Sequence, residues 1–579
     1  MTANRIIFIL ILSLIKIIIS PSERHLVEDL FNGLYSGEIY SGYLNTDVEG
    51  TELFYIFTPS QSDPKKDPVL LWLNGGPICS PLTAFLELIG PVKFVPYQKE
   101  PILNEYSWNK NASILYIDSP GGVGFSKLEN PKFFYNDTIH AVSLNIAIQN
   151  FFTVFIEYQG NNFYIAGESY AGTYIPHLVT QMFKYMDDNK DAIQLNLKGF
   201  LIGNPYIFED TDWEDSMFDF SFSHALISPE TYEKYLNECP HWPQIEKIYQ
   251  PYEEKEDYKY EPIINKDKLM PERNVTSACN EARNETKIAL DGINFYGILN
   301  ECPSEDAVFE LKKGFTNIDY EESSLHSEEY AFRRMLNKNI NEKYRRYTGR
   351  RLLSEENDEI ETEKAIDFFP SCKGNLYTEN FLNNNTIKEK LGVDATVIHK
   401  NCNFGLNYKW GDSIDYFKND IKELFNKKKF SSWIFSGTED MACVTIGNLR
   451  MINELNYTVK ETWKKWKVDG QVAGMEQTYD YGLKFITVKG AGHKVSEDKP
   501  KIGKVILDNF IGYITKETEP DDEKKESEDS FPVWAIAVIA GVGLLIIVII
   551  IFVVVKTKKK ISNRDIEETG KLLTDFNDK

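Results

Sequence analysis

An α/β fold built on a mostly parallel sheet is what this chain predicts, on three observations. First, the short apolar runs Val69-Leu70-Leu71-Trp72-Leu73, Ser113-Ile114-Leu115-Tyr116-Ile117 and Phe163-Tyr164-Ile165-Ala166 have the texture of strands buried on both faces. Second, each run leads into a loop of glycine and other small residues: Asn74-Gly75-Gly76-Pro77, Ser119-Pro120-Gly121-Gly122, and Gly167-Glu168-Ser169-Tyr170-Ala171-Gly172. Third, residues 138 to 158 have helix-like apolar spacing, which gives the order strand, loop, helix, strand of an α/β sheet.

Taken in order, Ser41-Gly42-Tyr43 and Glu52 to Phe57 read as two strands of an early hairpin turning at Glu49-Gly50. The strand 69–73 ends at Gly75-Gly76, where the missing side chains let backbone N–H groups approach a ligand. Phe163 to Ala166 runs into a serine between small residues just before a segment that can turn helical, the form of a nucleophile elbow. Leu197 to Asn204 is a further strand. An insertion from about 205 to 375 follows, lid-like, polar and dotted with aromatics. Within it, Arg345-Arg346 and Arg350-Arg351 are either processing sites in an exposed loop or part of a solvated charged helix. Core texture returns in Trp433 to Gly437 and Lys484 to Val488.

The ends of the chain predict a topology. Residues 1–20 resemble a secretory signal, with Arg5 ahead of an apolar run. Residues 21–515 are the folded body. An acidic stalk over 516–532 carries eight acidic residues and two lysines between Glu517 and Ser530. A transmembrane helix is predicted over 533–555, where Trp534 to Val555 are 22 residues without a charge, enough to cross a hydrocarbon core of roughly 30 Å. Lys556, Lys558, Lys559 and Lys560 then place the tail, 556–579, in the cytosol and the body in the lumen. In that tail, Glu568 with Leu572 and Leu573 resembles an acidic dileucine signal for sorting adaptors to endosomes, lysosomes or the vacuole, with Golgi or cell surface as other destinations. Sequons at Asn111, Asn136, Asn274, Asn284, Asn384 and Asn456 are glycosylation candidates on the lumenal side. All seven cysteines lie there too, and an odd number leaves one thiol unpaired. The formal charge of −23 argues against nucleic acid as a partner.

A serine nucleophile needs a base, and the base needs an acid to orient it. Asp440 follows the strand ending Phe435-Ser436-Gly437, and His493 follows the strand ending at Val488 in Gly490-Ala491-Gly492-His493. The chain order Ser169, Asp440, His493 is that of an α/β-hydrolase fold, with every member just past the C-terminal end of a strand.

These strings, with Leu71 to Pro77, Gly167 to Pro176 and Ser436 to Asp440, together resemble the serine carboxypeptidases, over roughly residues 30 to 515. The resemblance implies hydrolysis of C-terminal residues from peptides at acidic pH, without metal or organic cofactor. It implies Ser169 as nucleophile, His493 as base and acid, and Asp440 as its orienter. The N–H groups of Gly76 and Tyr170 would form the oxyanion hole, while Asn74, the N–H of Gly75 and a protonated Glu168 would read the substrate carboxylate. It further implies disulfides Cys79-Cys402, Cys239-Cys279 and Cys302-Cys372, leaving Cys443 as the free thiol. The chain also departs from the family. Ile78 stands where the family has glycine, a strained choice if that position needs positive φ. Glu87 stands three residues before Gly90-Pro91 where the family's second glutamate stands two before it, so Leu88 occupies the expected register. Lys494 replaces the methionine usual after the histidine, which puts a cation near the leaving-group pocket and would favour acidic C-terminal residues. Two other functions fit the same residues: a catalytically weak lumenal binding or protective glycoprotein, and an acyltransferase working through the same triad.

Overall fold

The computed structural model describes residues 24–95, 100–212, 214–239, 276–302, 376–411, 413–428 and 430–512, together with Lys556. Contacts divide the chain into residues 1–518 and residues 519–579. The signal segment, the stalk, the predicted transmembrane helix over 533–555 and the dileucine tail lie outside the described residues. So do Asn274, the dibasic pairs and Cys372. Among the described residues no helix is long and apolar enough to cross a membrane.

Ten strands make up most of a 12-stranded mixed sheet. They are β1 (Tyr40–Asn45), β2 (Thr51–Thr58), β3 (Val69–Leu73), β4 (Ser113–Ile117), β5 (Asn162–Glu168), β6 (Asn196–Gly203), β7 (Ser431–Gly437), β8 (Val459–Val468), β9 (Gln471–Tyr479) and β10 (Leu483–Val488). Their spatial order is β1-β2-β4-β3-β5-β6-β7-β10-β9-β8. The six from β4 to β10 run parallel, and antiparallel strands flank them on both sides.

Period-two alternation explains why the parallel strands read as unbroken apolar runs. In β3, Val69, Leu71 and Leu73 enter one core while Leu70 and Trp72 enter the other, and in β5 Phe163 and Ile165 part from Tyr164 and Ala166 in the same way. Helices α1 (Asp137–Val154) and α2 (Ala171–Asp188) cover the first face. Pro500–Phe510 covers the other, with Tyr164 and Trp433 packing on Phe510. The hairpin β1–β2 turns at the predicted place. Hairpin β8–β9 was not foreseen: β8, Val-Lys-Glu-Thr-Trp-Lys-Lys-Trp-Lys-Val, is mostly exposed and carries too little apolar alternation to stand out from a solvated segment.

Part of the insertion is described. Helices over Glu214–Ser223, Pro229–Glu238 and Ser277–Ala289 form their own small core, and Met441, Ala442 and Val444, just past β7, complete it. Disulfides join Cys79 to Cys402 and Cys239 to Cys279. Cys302 is also disulfide-bonded, and Cys443 is a buried free thiol. Asn284, Asn384 and Asn456 are exposed. Asn111 is buried and donates its amide to Asp508 Oδ1 at 2.9 Å, so that sequon is closed to a glycan in the folded chain.

Candidate active site

Three loops at the C-terminal ends of β5, β7 and β10 build the site. Ser169 sits between β5 and α2 with φ of 63°, the left-handed turn that lifts a side chain off the end of a strand. The turn is tight enough to need its glycines: a Cβ on Gly167 would lie 2.5 Å from the Leu73 carbonyl oxygen, and one on Gly172 would lie 2.6 Å from that of Tyr206. The Ser169 N–H donates to the Gly203 carbonyl at 3.0 Å, tying the elbow to β6.

Asp440 is fully buried, and its carboxylate accepts three hydrogen bonds. Oδ2 takes His493 Nδ1 at 2.7 Å and Asn204 Nδ2 at 2.7 Å, while Oδ1 takes the Ala442 N–H at 2.8 Å. The His493 N–H in turn donates to the Tyr296 carbonyl at 2.6 Å, so the segment 294–300 holds the histidine loop from above. Burial opposes protonation of His493, but the charge and hydrogen bond of Asp440 outweigh it and hold the imidazole above its ordinary value. Cys443 is buried, and burial pushes its thiol well up, which disfavours the thiolate. Asp440, Cys443 and His493 bring ligand-type atoms within 4.8 Å of one another, the one such group among the described residues. The acid and the base already spend their facing atoms on each other.

The loop after β3 reaches this elbow. A Cβ on Gly75 would stand 2.5 Å from Tyr170 N and 2.6 Å from Ser169 Cβ, so only glycine lets the two loops meet. Asn74 Oδ1 accepts the Trp72 indole N–H at 2.7 Å, which leaves its NH2 as the group free to donate. Ile78 has φ of 64°, which for a β-branched residue costs about 1–3 kcal/mol. Its surroundings enforce it: the N–H donates to Tyr174 Oη at 2.8 Å, the carbonyl accepts from Asn403 N at 3.0 Å, and the Cys79–Cys402 bridge follows.

Glu168 is buried at the end of β5, and burial lifts its carboxyl to about 7 against the pull of His493 and Lys494. Glu87 reaches the histidine loop despite its shifted register. Residues Ala84–Leu88 form a single π turn, in which the Ile89 N–H reaches back to the Ala84 carbonyl, and this wide turn absorbs one extra residue. Leu88 therefore goes to the core, and Glu87 turns toward the histidine loop, accepting from Thr378 Oγ1 at 2.5 Å and facing Lys494 Nζ at 3.4 Å. Asn204, Tyr296 and Tyr174 escaped the sequence reading. A Gly-Asn pair ending a strand beside the elbow was the one available signal, at Gly203-Asn204.

Residues 31–513 match the family model described as serine carboxypeptidase. Among curated proteins, the chain is 30% identical to serine carboxypeptidase-like 34 of Arabidopsis thaliana, covering 83% of this chain and 87% of that protein. It is 28% identical to serine carboxypeptidase 1 of Hordeum vulgare, over 81% and 89%, and 28% identical to the lysosomal protective protein of Mus musculus, over 82% and 90%. Among solved structures, a prohormone-processing carboxypeptidase from Saccharomyces cerevisiae has the same fold, with a TM-score of 0.56 at 18% identity over 85% of this chain and 96% of that one.

Proposed function

Since this chain belongs to the serine carboxypeptidase family and is a serine-type carboxypeptidase acting on peptides with a free C-terminus, we propose that Ser169, His493 and Asp440 carry the hydrolysis. The observation that carries this reading is the fully buried Asp440 carboxylate bonded to His493 Nδ1, beside a serine on a left-handed elbow. His493 takes the Ser169 proton as Oγ attacks the last peptide carbonyl, then returns it to the leaving amine. The oxyanion that forms is met by the N–H groups of Gly76 and Tyr170. Water then releases the acyl-enzyme. The segment over 294–300 acts as part of a lid that shields these steps from bulk water.

Asn74, the Gly75 N–H and Glu168 read the substrate's terminal carboxylate, and Glu168 can donate to it only while protonated. With its carboxyl near 7, substrate affinity is highest at acidic pH and falls as pH rises through about 7. His493 must be neutral to act as base, so its raised pKa sets the acid limb. Glu168→Gln keeps a donor at every pH. Its KM for a blocked dipeptide is expected to stay nearly flat from about pH 5 to about pH 8, whereas the wild-type KM climbs by up to about tenfold per pH unit above Glu168's pKa. A wild-type KM that does not change with pH would remove Glu168 from this role.

The signal-like start, the uncharged apolar run Trp534 to Val555, the lysines after it and the dileucine-like tail support a single-pass protein with its catalytic body in an endolysosomal or vacuolar lumen. The name of the mouse relative and the acid preference agree with that compartment. Asn284, Asn384 and Asn456 are the sequons best exposed for glycans.

The decisive experiment combines fluorophosphonate labelling with trimming of a peptide mixture across pH. Wild type is expected to label and to release single C-terminal residues fastest under acidic conditions, while Ser169→Ala does neither. Labelling that persists in Ser169→Ala would sink the assignment.

A further inference from the structure

Lys494, next to the catalytic histidine, is the centre of a charge cluster that the triad does not use. Its Nζ stands 3.4 Å from Glu87 Oε2 and 3.7 Å from Glu497 Oε2, and its side chain is about three-quarters covered, with a relative exposure of 23%. Glu87 is buried and held from its far side by Thr378. Glu168 feels the same ammonium, together with His493, Glu497 and Asp440. Asp498, the remaining acid of that turn, is turned away onto the Gly492 N–H and Asn300 Nδ2. One cation therefore bridges two carboxyl groups, Glu87 and Glu497, on the turn after His493, and a third, Glu168, feels its charge beside the residues proposed to bind the substrate's terminal carboxylate.

Such a pocket would repel its own substrate. Each ionised carboxyl adds a negative charge where the C-terminal carboxylate arrives, and in a site of low effective dielectric one charge at several ångströms matters. Two of the three acids contact Lys494 directly, which also limits the charge it can offer to an acidic side chain of the departing residue. Resting on the carboxypeptidase reading above, we propose that Lys494 is a specificity-determining residue that neutralises Glu87 and Glu497 and so keeps the pocket open to peptides with a free terminal carboxylate.

The test compares the full-length wild type with Lys494→Met, Lys494→Arg and Glu87→Gln on two probes, an N-blocked dipeptide with a free carboxylate and an N-blocked amino-acid ethyl ester that lacks one. Lys494→Met is expected to raise the dipeptide KM, relative to the ester KM, by about three- to tenfold near pH 5, where Glu168 is protonated with or without the lysine. Lys494→Arg restores the wild-type ratio. Glu87→Gln removes a negative charge and lowers the dipeptide KM near pH 5, a gain that misfolding cannot mimic. Equal changes on acid and ester, or no change near pH 5, would overturn the proposal. So would an effect of Lys494→Met confined to dipeptides ending in Glu as against Leu, which would mean that the side chain and not the terminal carboxylate is being read. A wild type that hydrolyses the ester but trims no peptide refutes the underlying reading, and is told apart by needing no variant.

Discussion

In Asp440→Asn, kcat for peptide hydrolysis falls by about 10⁴ while KM changes little, in line with loss of the correct histidine tautomer at a triad acid. The geometry of the acid explains why the loss is large. Its two oxygens accept from three donors, His493 Nδ1, Asn204 Nδ2 and the Ala442 N–H, with no exposure to solvent. An amide offers one acceptor and one donor in the same place. If its NH2 faces His493 and Asn204, donors meet a donor, and His493 is driven to the tautomer that presents Nε2–H to Ser169 and cannot act as base. If the NH2 turns the other way it meets the Ala442 N–H. Either orientation leaves a buried group unsatisfied, so stability also drops, by about 1–3 kcal/mol. The measurement is kcat and KM together with thermal unfolding and the rate of fluorophosphonate labelling. A variant whose activity loss is matched by loss of folded protein, with normal labelling per folded molecule, would reduce Asp440 to a structural role.

The elements that the sequence made legible are those where one physical rule dominates. Apolar runs of four or five residues that end in glycine loops are too short for buried helices and suit strands buried on both faces, and the elbow at Ser169 and the glycine loops after β3 and β10 are forced by close backbone approach. Legibility failed where side-chain pattern and backbone part company. Glu87 read as one residue out of the family's register because a count of residues to Gly90-Pro91 cannot see a π turn, which takes up an extra residue without leaving a mark in composition. Asn111 satisfied a local three-residue pattern, but its burial against Asp508 is set some 400 residues away in sequence, at a separation of 397. Lys494 read as a lone cation because its partners, Glu87 on a distant turn and Glu497 on the next, meet it only after folding.

Gly75→Ala is expected to cost about 10²- to 10³-fold in kcat, the scale of losing one oxyanion donor. The new methyl carbon would fall 2.5 Å from Tyr170 N, 2.6 Å from Ser169 Cβ and 2.9 Å from the Glu168 carbonyl oxygen. These neighbours are backbone atoms or sit directly on the backbone of a strained turn, so none can yield by rotating a side chain. The loop after β3 must retreat instead, and its retreat is resisted at the other end by the Cys79–Cys402 bridge and the Ile78 hydrogen bonds. Overpacking of this kind costs about 1–3 kcal/mol of stability. If Gly76 donates to the oxyanion as proposed, the retreat carries that donor away from the elbow and the transition state loses it. If Asn74 and the Gly75 N–H read the substrate carboxylate as proposed, KM for free-acid peptides rises as well, while KM for an ester without a carboxylate rises less. Measuring both probes separates the two consequences: a variant with lowered stability but unchanged kcat would mean that the loop does not serve the oxyanion at all.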